Sequence, residues 1–296
     1  MKPVSPAASV PDVLVALPEL QRVIGPICAI AALSGFGNEV FRVDGDRGSF
    51  ILRIERPSLK GRVDRHLEAA YARRAEALGF GPQVLFADPA RGVMLLRAVP
   101  DARPLGAGDA ADPAEAAQLG ALLRRLHTDV TLSGARFDPA AWLAARRPAL
   151  MAAGLLDGDA LAVARAVEDL ARQEGGAAGP AVPSHCDLVP QNVLLSQGRL
   201  WLIDFEYAGR ADPAWDLAYA GLEAAYGGAA RMALLAGYCA GDLAAAARLA
   251  PRVARMRPVC DVVSAFWALE QMAAGNPAAD FASYADTRLA RAAGAL

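Results

Sequence analysis

The sequence predicts an α+β fold with two lobes, a small antiparallel sheet that carries one main helix and a larger, mostly helical lobe. Short apolar segments separated by turn residues recur between residues 40 and 96, as in a sheet of hairpin-connected strands. Beyond residue 112 the apolar residues recur at helical spacing. A Gln-Gly turn between two short apolar runs then predicts one hairpin within the helical part. We therefore divide the chain into lobes at 1–99 and 100–296.

The first lobe is predicted to begin with a loose segment and one short helix around Asp12 to Val23. A glycine-containing turn at Leu33 to Gly37 follows. The predicted strands and the main helix of this lobe are Val40–Val43, Ser49–Ile54, the helix Arg62–Leu78, Val84–Ala87 and Val93–Leu96.

The second lobe is predicted to be helical almost throughout. Its first helices are expected at Pro113–His127, Trp142–Met151, Asp159–Glu174 and Ala214–Tyr226. Residues 229–293 continue the helical pattern. Helix-breaking residues predict interruptions near Gly241-Asp242, Pro251, Pro258 and Gly275-Asn276-Pro277.

Composition excludes several classes of protein. The chain has 296 residues, a formal net charge of -2 and no run of Lys and Arg, which gives no basis for nucleic-acid binding. Its four cysteines are far apart in sequence and suit a reducing cytoplasm better than a disulfide framework. Prolines interrupt the N-terminus, which therefore lacks the continuous apolar core of a signal peptide. No uncharged apolar segment is long enough to span a bilayer, so we expect no membrane insertion. The oligomeric state is left open.

The chemistry is concentrated in residues 184–218, where polar residues flank the predicted hairpin. His185, Asp187 and Asn192 precede its first strand, and Asp204 follows its second. Such a hairpin brings Asn192 and Asp204 to the same end, because each lies just outside one of its two strands. An amide and a carboxylate placed there can share a magnesium ion, which takes few protein oxygens and completes its shell with phosphate and water. Asp187 would then be free to meet a substrate hydroxyl.

This order of residues is typical of phosphoryl transfer, in which the protein positions the nucleophile, holds the metal and neutralises charge. The catalytic loop of protein kinases carries an Asp and, five residues later, an Asn, and the Asp of a D-F-G triplet is a metal ligand. Here the triplet is Asp204-Phe205-Glu206, with Glu in place of Gly. Formation of a turn or the end of a strand could explain Asp187, Asn192 or Asp204 taken singly, but not all three in this order with a hairpin between them.

The stretch resembles the choline/ethanolamine kinase family, especially its bacterial lipopolysaccharide-type members, within the aminoglycoside phosphotransferase-like kinases. The matching segments are H-C-D-L-V-P-Q-N, L-I-D-F-E-Y-A-G and D-P-A-W-D-L-A. Cys186 stands where the family usually has Asn, and Gln191 where it commonly has Glu. The resemblance implies a protein-kinase-like fold that binds ATP and Mg²⁺, with Asp187 as the catalytic residue and Asn192 and Asp204 as metal ligands.

For the nucleotide, the resemblance implies a set of contacts in the first lobe. Arg53 stands in an apolar strand, where a buried guanidinium needs a partner. The family has an Arg at this place that binds phosphate, which implies the same role for Arg53, with Glu68 of the main helix as its partner. The alternative is that Arg53 is an ordinary Arg on the surface. The glycine turn would cover the phosphates through Gly35, Gly37 and Asn38. Between the lobes, the Arg97 carbonyl and the Val99 N–H would read adenine.

For the acceptor, the resemblance implies a small cationic alcohol, choline first and ethanolamine second. A quaternary ammonium forms no strong hydrogen bonds, so aromatic faces and a carboxylate must hold it. Glu270 stands where the family has its second Trp and would suit a primary ammonium. The aromatic residues could equally be ordinary helix core. The candidate acceptor-binding residues are Asp187, Glu206, Glu223, Trp267, Glu270, Phe281 and Tyr284, followed by Arg288.

Two further residues are expected to be structural. The resemblance implies that Asp216 holds the catalytic loop, and that His127 is buried and hydrogen-bonded. Three alternatives remain open at this point: a kinase of the same fold that acts on an aminoglycoside, thiamine or a sugar; a non-catalytic nucleotide-binding pseudokinase; and a protein kinase. The last lacks an A-P-E motif before the Asp212-Pro213 turn.

Overall fold

The computed structural model describes residues 13–14, 17–33, 38–56, 60–177 and 180–296. The chain forms two compact units. The first comprises Met1–Arg103 with Val193–Tyr207, and the second comprises Pro104–Asn192 with Ala208–Leu296. The two segments of the first unit are far apart in sequence, so long-range contacts define this unit.

The first unit contains an antiparallel sheet of five strands, which are β1 (Ile27–Leu33), β2 (Asn38–Gly45), β3 (Gly48–Glu55), β4 (Val84–Asp88) and β5 (Val93–Arg97). Their order in the sheet is β1-β2-β3-β5-β4. The four predicted strands are present, each extended by one or two residues at one or both ends.

The edge strand β1 is not among the predicted strands, because the sequence of residues 1–32 predicts only a loose start and one helix. Its sequence is a run of small and apolar residues with no alternation, and every residue in it is exposed. Pairing with β2, from Ile27 opposite Gly45 to Leu33 opposite Val40, holds the strand in place. A strand that depends on its neighbour and buries no face leaves no period-2 pattern in the sequence.

The core of this unit lies between the sheet and a short helix, α1 (Pro18–Ile24). Leu20 and Ile24 of α1 pack with Phe50 and Leu52 of β3, and all four side chains are fully buried. The main helix α2 (Arg65–Ala77) follows β3. The Asp64 side chain caps its N-terminus by accepting a hydrogen bond from the Leu67 N–H.

The predicted hairpin is confirmed. It consists of β8 (Val193–Ser196) and β9 (Arg199–Leu202), with Val193 opposite Leu202. Gln197 and Gly198, which connect the strands, both have positive φ angles, 49° and 72°, as a type I′ turn requires. The predicted lobe boundary at residue 100 places this hairpin in the second lobe. By its contacts it belongs to the first unit, where for example the Leu202 N–H donates to the Phe80 carbonyl at 2.7 Å.

The second unit is mostly helical, as predicted. Two short strands, β7 (Val182–Ser184) and β10 (Gly209–Ala211), pair within it, and the two-residue strand β6 (Arg103–Pro104) precedes it. Its helices are α3 (Pro113–His127), α4 (Pro139–Ala152), α5 (Gly158–Ala177), α6 (Pro213–Glu223), α7 (Gly228–Tyr238), α8 (Leu243–Ala273) and α9 (Phe281–Ala293).

The expected helix breaks at Pro251 and Pro258 were wrong, because α8 runs through both prolines without interruption. Each proline removes one backbone hydrogen bond from the helix. Pro258 and the following Val259 and Cys260 are buried. We attribute the continuity of α8 at Pro258 to this packing, which outweighs the lost bond. The breaks predicted near Gly241 and Gly275 are confirmed, since α8 begins at Leu243 and ends at Ala273.

No single helix in the described part of the chain is long and apolar enough to cross a membrane. The pair α7 and α8 passes the same test only when counted together, and it is bent by 117° at the break between the two helices.

Candidate active site

In the second unit, the loop that follows β7 is fixed by one buried carboxylate on α6. Asp216 is fully buried and accepts hydrogen bonds from two consecutive backbone N–H groups, those of His185 at 2.8 Å and Cys186 at 2.9 Å. Its position in the first turn of α6 directs the carboxylate at this loop. The structural role predicted for Asp216 is confirmed by these contacts.

His127 completes the environment of Asp216. Its Nε2 lies 3.1 Å from Oδ2 of Asp216, and its Nδ1 lies 3.0 Å from the Tyr238 hydroxyl. Burial alone would raise the pKa of Asp216, but the hydrogen bonds and the charges of the two histidines outweigh it and hold this pKa below its ordinary value. Asp216 is therefore a charged anchor, and His127 is buried and hydrogen-bonded, as expected.

The same loop carries Asp187 and Asn192. The Asn192 amide donates through Nδ2 to the Asp187 backbone carbonyl at 2.9 Å and to its carboxylate Oδ2 at 3.0 Å. These contacts restrict the rotamer of Asp187 and direct Nδ2 towards it. The amide oxygen of Asn192 is then available as a hard ligand for a cation.

Cys186, which directly precedes Asp187, has a strained backbone conformation. Its φ angle is 65°, in the left-handed region that non-glycine residues rarely adopt and that Asn tolerates best. Burial, together with the charges of Asp216 and Asp187, raises the pKa of the thiol, so the side chain is protonated and poorly nucleophilic. The family's Asn at this place is thus the residue that the backbone geometry favours.

In the first unit, Arg53 is buried and bridges two acidic residues. Its Nη1 lies 2.7 Å from Oε1 of Glu68 on α2, and its Nη2 lies 2.6 Å from Oδ1 of Asp204. The predicted pair of Arg53 and Glu68 is therefore formed. Although burial alone lowers the pKa of Arg53, the charges of Asp204 and Glu68 raise it above its usual value, so the guanidinium remains charged.

A second arginine extends this cluster. Arg65 pairs with Glu68 at 2.8 Å and with Glu55 at 3.0 Å, and it donates to Oδ1 of Asn38 at 2.9 Å. The Asn38 amide in turn donates to Oε2 of Glu206 at 2.9 Å. The side chain of Asn38, predicted to contact nucleotide, thus connects Arg65 with Glu206.

This cluster carries an excess of negative charge. Four carboxylates, those of Glu55, Glu68, Asp204 and Glu206, face two guanidiniums. Burial and the neighbouring Asp204 and Glu68 raise the pKa of Glu206 to about 7, against the opposing effect of the two arginines. A site that keeps unneutralised carboxylates close together suits a bound cation.

Asp204 is the least buried member of the cluster, with a side chain 31% exposed. Its φ angle of 64° places it in the left-handed region, and such strain in a non-glycine residue is typical of functional sites. Arg53 engages Oδ1, which leaves Oδ2 as a hard oxygen donor. In the described residues, no three side chains among His, Cys, Asp and Glu are arranged to hold a metal ion by themselves.

The other residues predicted to contact nucleotide have different outcomes. Gly35 and Gly37 lie outside the described residues. Arg97 ends β5, and its guanidinium stacks over the Phe50 ring at 4.6 Å and donates to the Arg47 carbonyl. Contacts of adenine with Arg97 and Val99 stay a prediction.

Most of the predicted acceptor residues in the second unit gather in one place. Glu223, at the end of α6, is held by Arg288 of α9, whose Nη2 donates to Oε2 at 2.7 Å. Arg288 also donates to the Tyr284 hydroxyl at 2.6 Å. The half-buried Trp267 of α8 packs edge-on against Phe281 and Tyr284, at ring centroid distances of 5.5 and 6.3 Å. A carboxylate and three aromatic rings therefore form one cluster.

Glu270 is not part of this cluster in its contacts. Its carboxylate lies 3.2 Å from Nε of Arg146, with both side chains more than a third exposed. Tyr219, which no sequence pattern indicated, is a buried residue of α6. Burial raises the pKa of its hydroxyl, and the charges of Asp187 and Glu223 raise it further.

Sequence reasoning also missed Glu55 and Asp261, two charged partners of these networks. Glu55 ends β3 and had no motif to mark it. Asp261 left a signal, since it is the one acidic residue in the apolar run from Pro258 to Ala265. A carboxylate in such a run is costly to bury without partners, so its presence predicts a counter-charge nearby.

Comparison with known protein families gives a match over most of the chain. The model of the phosphotransferase enzyme family matches residues 29–252. A crystal structure of a choline/ethanolamine kinase family protein from Mesorhizobium loti is 31% identical, with a TM-score of 0.78. The match covers 95% of this chain and 92% of that chain.

Two further relatives are similar. The crystal structure of choline kinase LicA from Streptococcus pneumoniae has a TM-score of 0.77 at 21% identity, over 95% of this chain and 97% of that chain. Protein LicA from Haemophilus influenzae is 47% identical over 57 residues, which are 19% of this chain and 21% of that protein. The match therefore spans about a fifth of this curated relative. The predicted protein-kinase-like α+β fold is confirmed by the structural matches.

Proposed function

The chain belongs to the phosphotransferase enzyme family and, within it, to the choline/ethanolamine kinase family, and from this premise we propose that it uses ATP to phosphorylate the hydroxyl of a small cationic alcohol. The observation that carries the proposal is the position of Asp187, held by Asn192 on a loop that the buried Asp216 anchors. A carboxylate fixed in this way can orient one hydroxyl group with little loss of entropy on binding.

Asp187 is proposed to orient the acceptor hydroxyl and to accept its proton. In the loose transition state of phosphoryl transfer the proton moves late, so the position of this carboxylate matters more than its basicity. The hydrogen bond from Asn192 supports this role, because it holds Oδ2 of Asp187 in one orientation.

For the nucleotide, we propose that Arg53 binds phosphate while Glu68 fixes its orientation. We also propose that Asp204 and Asn192 would hold Mg²⁺. Each offers a hard oxygen in its own unit, and the cluster around Asp204 has an excess of carboxylates. Magnesium in phosphotransferases neutralises the charge of the phosphate oxygens and completes its coordination shell with them. The chain's own residues hold the counter-charges in place.

For the acceptor, we propose choline first and ethanolamine second. The cluster of Glu223 with Trp267, Phe281 and Tyr284 combines one carboxylate with aromatic rings, which is the environment that a quaternary ammonium requires. Asp187 and Glu223 both belong to the second unit, which supports placing the hydroxyl and the cation of one substrate in this unit.

An ADP-release assay with choline, ethanolamine, thiamine and kanamycin tests the proposal. We expect a kcat/KM for choline or ethanolamine that is at least about 100-fold above that for the other two acceptors. Asp187→Asn is the control, and it should lower kcat by about two orders of magnitude while ATP binding is retained. Preferred turnover of kanamycin or thiamine would contradict the proposed acceptor, and wild-type turnover by the variant would contradict the role of Asp187.

A further inference from the structure

Asp261 is a buried carboxylate in the middle of α8, and the proposed chemistry does not use it. Only 1% of the residue is exposed, and Val259, Cys260 and Val262 around it are fully buried. A carboxylate in such surroundings is stable only when cations pair with it. Two arginines of α9 supply this charge. Nη1 of Arg288 lies 3.2 Å from Oδ1, and Nε of Arg291 lies 2.9 Å from Oδ2.

Arg288 is shared between Asp261 and Glu223. Its Nη1 lies 2.6 Å from Oε1 of Glu223, and its guanidinium carbon lies 4.6 Å from the centre of the Tyr284 ring. The arginine thus occupies the kind of environment, a carboxylate beside an aromatic ring, that a cationic alcohol would need. A guanidinium that belonged to Glu223 alone would neutralise this carboxylate and compete with such a substrate.

The local charge balance depends on Asp261. Glu223 and Asp261 together offset Arg288 and Arg291, so the four groups have no net charge. Arg257, one helical turn before Asp261, adds positive charge nearby, and burial and the neighbouring Arg231 lower its pKa. Without Asp261, the group of Glu223, Arg288 and Arg291 would carry a net positive charge.

We propose that Asp261 is a positioning residue that determines the charge selectivity of the acceptor site. By sharing Arg288 with Glu223 and by pairing with Arg291, it leaves Glu223 negative enough to bind a cationic alcohol. The inference rests on the proposed function, in which Glu223 faces the ammonium group. Asp261 itself touches no substrate.

The test compares choline with 3,3-dimethylbutan-1-ol, its uncharged isostere, in which carbon replaces nitrogen. Asp261→Asn should lower kcat/KM for choline by about tenfold, mainly through KM, as expected for one unit charge in a partly screened interior. For the neutral alcohol the change should stay within about twofold, since no charge is attracted. If wild type does not turn the neutral alcohol over, its inhibition constant against choline supplies the same comparison.

Arg291→Gln is the matched variant of opposite sign. The Arg291 side chain is 38% exposed and Arg288 still pairs with Asp261 in this variant, so the protein should tolerate the substitution. Removal of its charge leaves the group net negative, and KM for choline should fall while the value for the neutral alcohol stays constant. This variant decides the matter if Asp261→Asn fails to fold.

Several outcomes would overturn the inference. An equal loss on the charged and the neutral alcohol in Asp261→Asn would show a merely structural role. An unchanged ratio of the two substrates in Arg291→Gln would show that the pair does not act on the acceptor. If wild type prefers ethanolamine, propan-1-ol serves as its neutral isostere. Failure of the proposed function has a different result, namely that wild type phosphorylates no cationic alcohol.

Discussion

Replacement of Asp216 by Asn should destabilise the second unit and impair the loop that carries Asp187. The carboxylate accepts two backbone hydrogen bonds and a third from His127, and it is fully buried. The Asn side chain keeps one oxygen acceptor, but its NH₂ group replaces the second oxygen and faces a group that itself donates a hydrogen bond. Hydrogen bonds to a charged group are worth about 1.5–3 kcal/mol each, and one or two of them are lost, so we expect a loss of about 2–4 kcal/mol.

Urea denaturation measures this loss, and Asp280→Asn is the matched control. Asp280 is an exposed N-cap of α9, and its carboxylate accepts one hydrogen bond from the Ser283 N–H. Asn is an equally good N-cap, so the control should change the free energy of unfolding by less than about 0.5 kcal/mol. A loss in Asp216→Asn as small as in the control would refute the anchoring role.

The pH dependence gives a second check on the same residue. The pKa of Asp216 is lower in the folded protein than in the unfolded chain, so its charge stabilises the fold above its ordinary pKa of about 4. This contribution is lost as the pH falls through the folded value. The difference in stability between wild type and Asp216→Asn should therefore be constant from about pH 6 to 8 and shrink below about pH 4.

Three further predictions follow from the site. Cys186→Asn should raise the free energy of unfolding by about 0.5–1 kcal/mol in urea denaturation, because Asn adopts the positive φ of 65° at lower cost. A destabilised variant would show that packing of the thiol stabilises the fold by more than the backbone strain costs. Asp204→Ala should abolish Mg²⁺-dependent turnover in the ADP-release assay, whereas Asn192→Ala should only weaken it, since water can replace a neutral ligand; equal effects would reject this ranking. Trp267→Ala should raise KM for choline roughly tenfold, because it removes a cation–π contact of about 1–2 kcal/mol. Glu270→Gln should change this KM by less than about twofold, since Glu270 pairs with Arg146. The reverse order of the two effects with ethanolamine would make Glu270 the partner of the ammonium group.

The hairpin shows what local sequence determines. The Gln-Gly turn between two apolar runs predicts it, and both residues have the positive φ angles of that turn. The order of Asp187, Asn192 and Asp204 around it is likewise a local pattern. The assignment of the hairpin to the first unit was not predictable, because its contacts, such as that of Leu202 with Phe80, join residues far apart in sequence.

Some helix boundaries are likewise determined by local sequence, and others by tertiary packing. Periodicity predicts α3 at Pro113–His127 with both ends as observed, since helical spacing and an N-terminal proline are local signals. Local signals also predict breaks at Pro251 and Pro258, but α8 continues through both. At Pro258 the tertiary structure decides, because buried packing compensates for the lost hydrogen bond.

The sequence by itself thus determined the catalytic motif, the family and most elements of the fold, all of which depend on residue types at fixed spacings. Only the tertiary structure decided which charges meet. Arg53 is shared by Glu68 and Asp204, and Arg288 by Glu223 and Asp261. Partners of buried charges are chosen by distance in space and by the cost of burial, and neither quantity is a property of neighbouring residues in the chain.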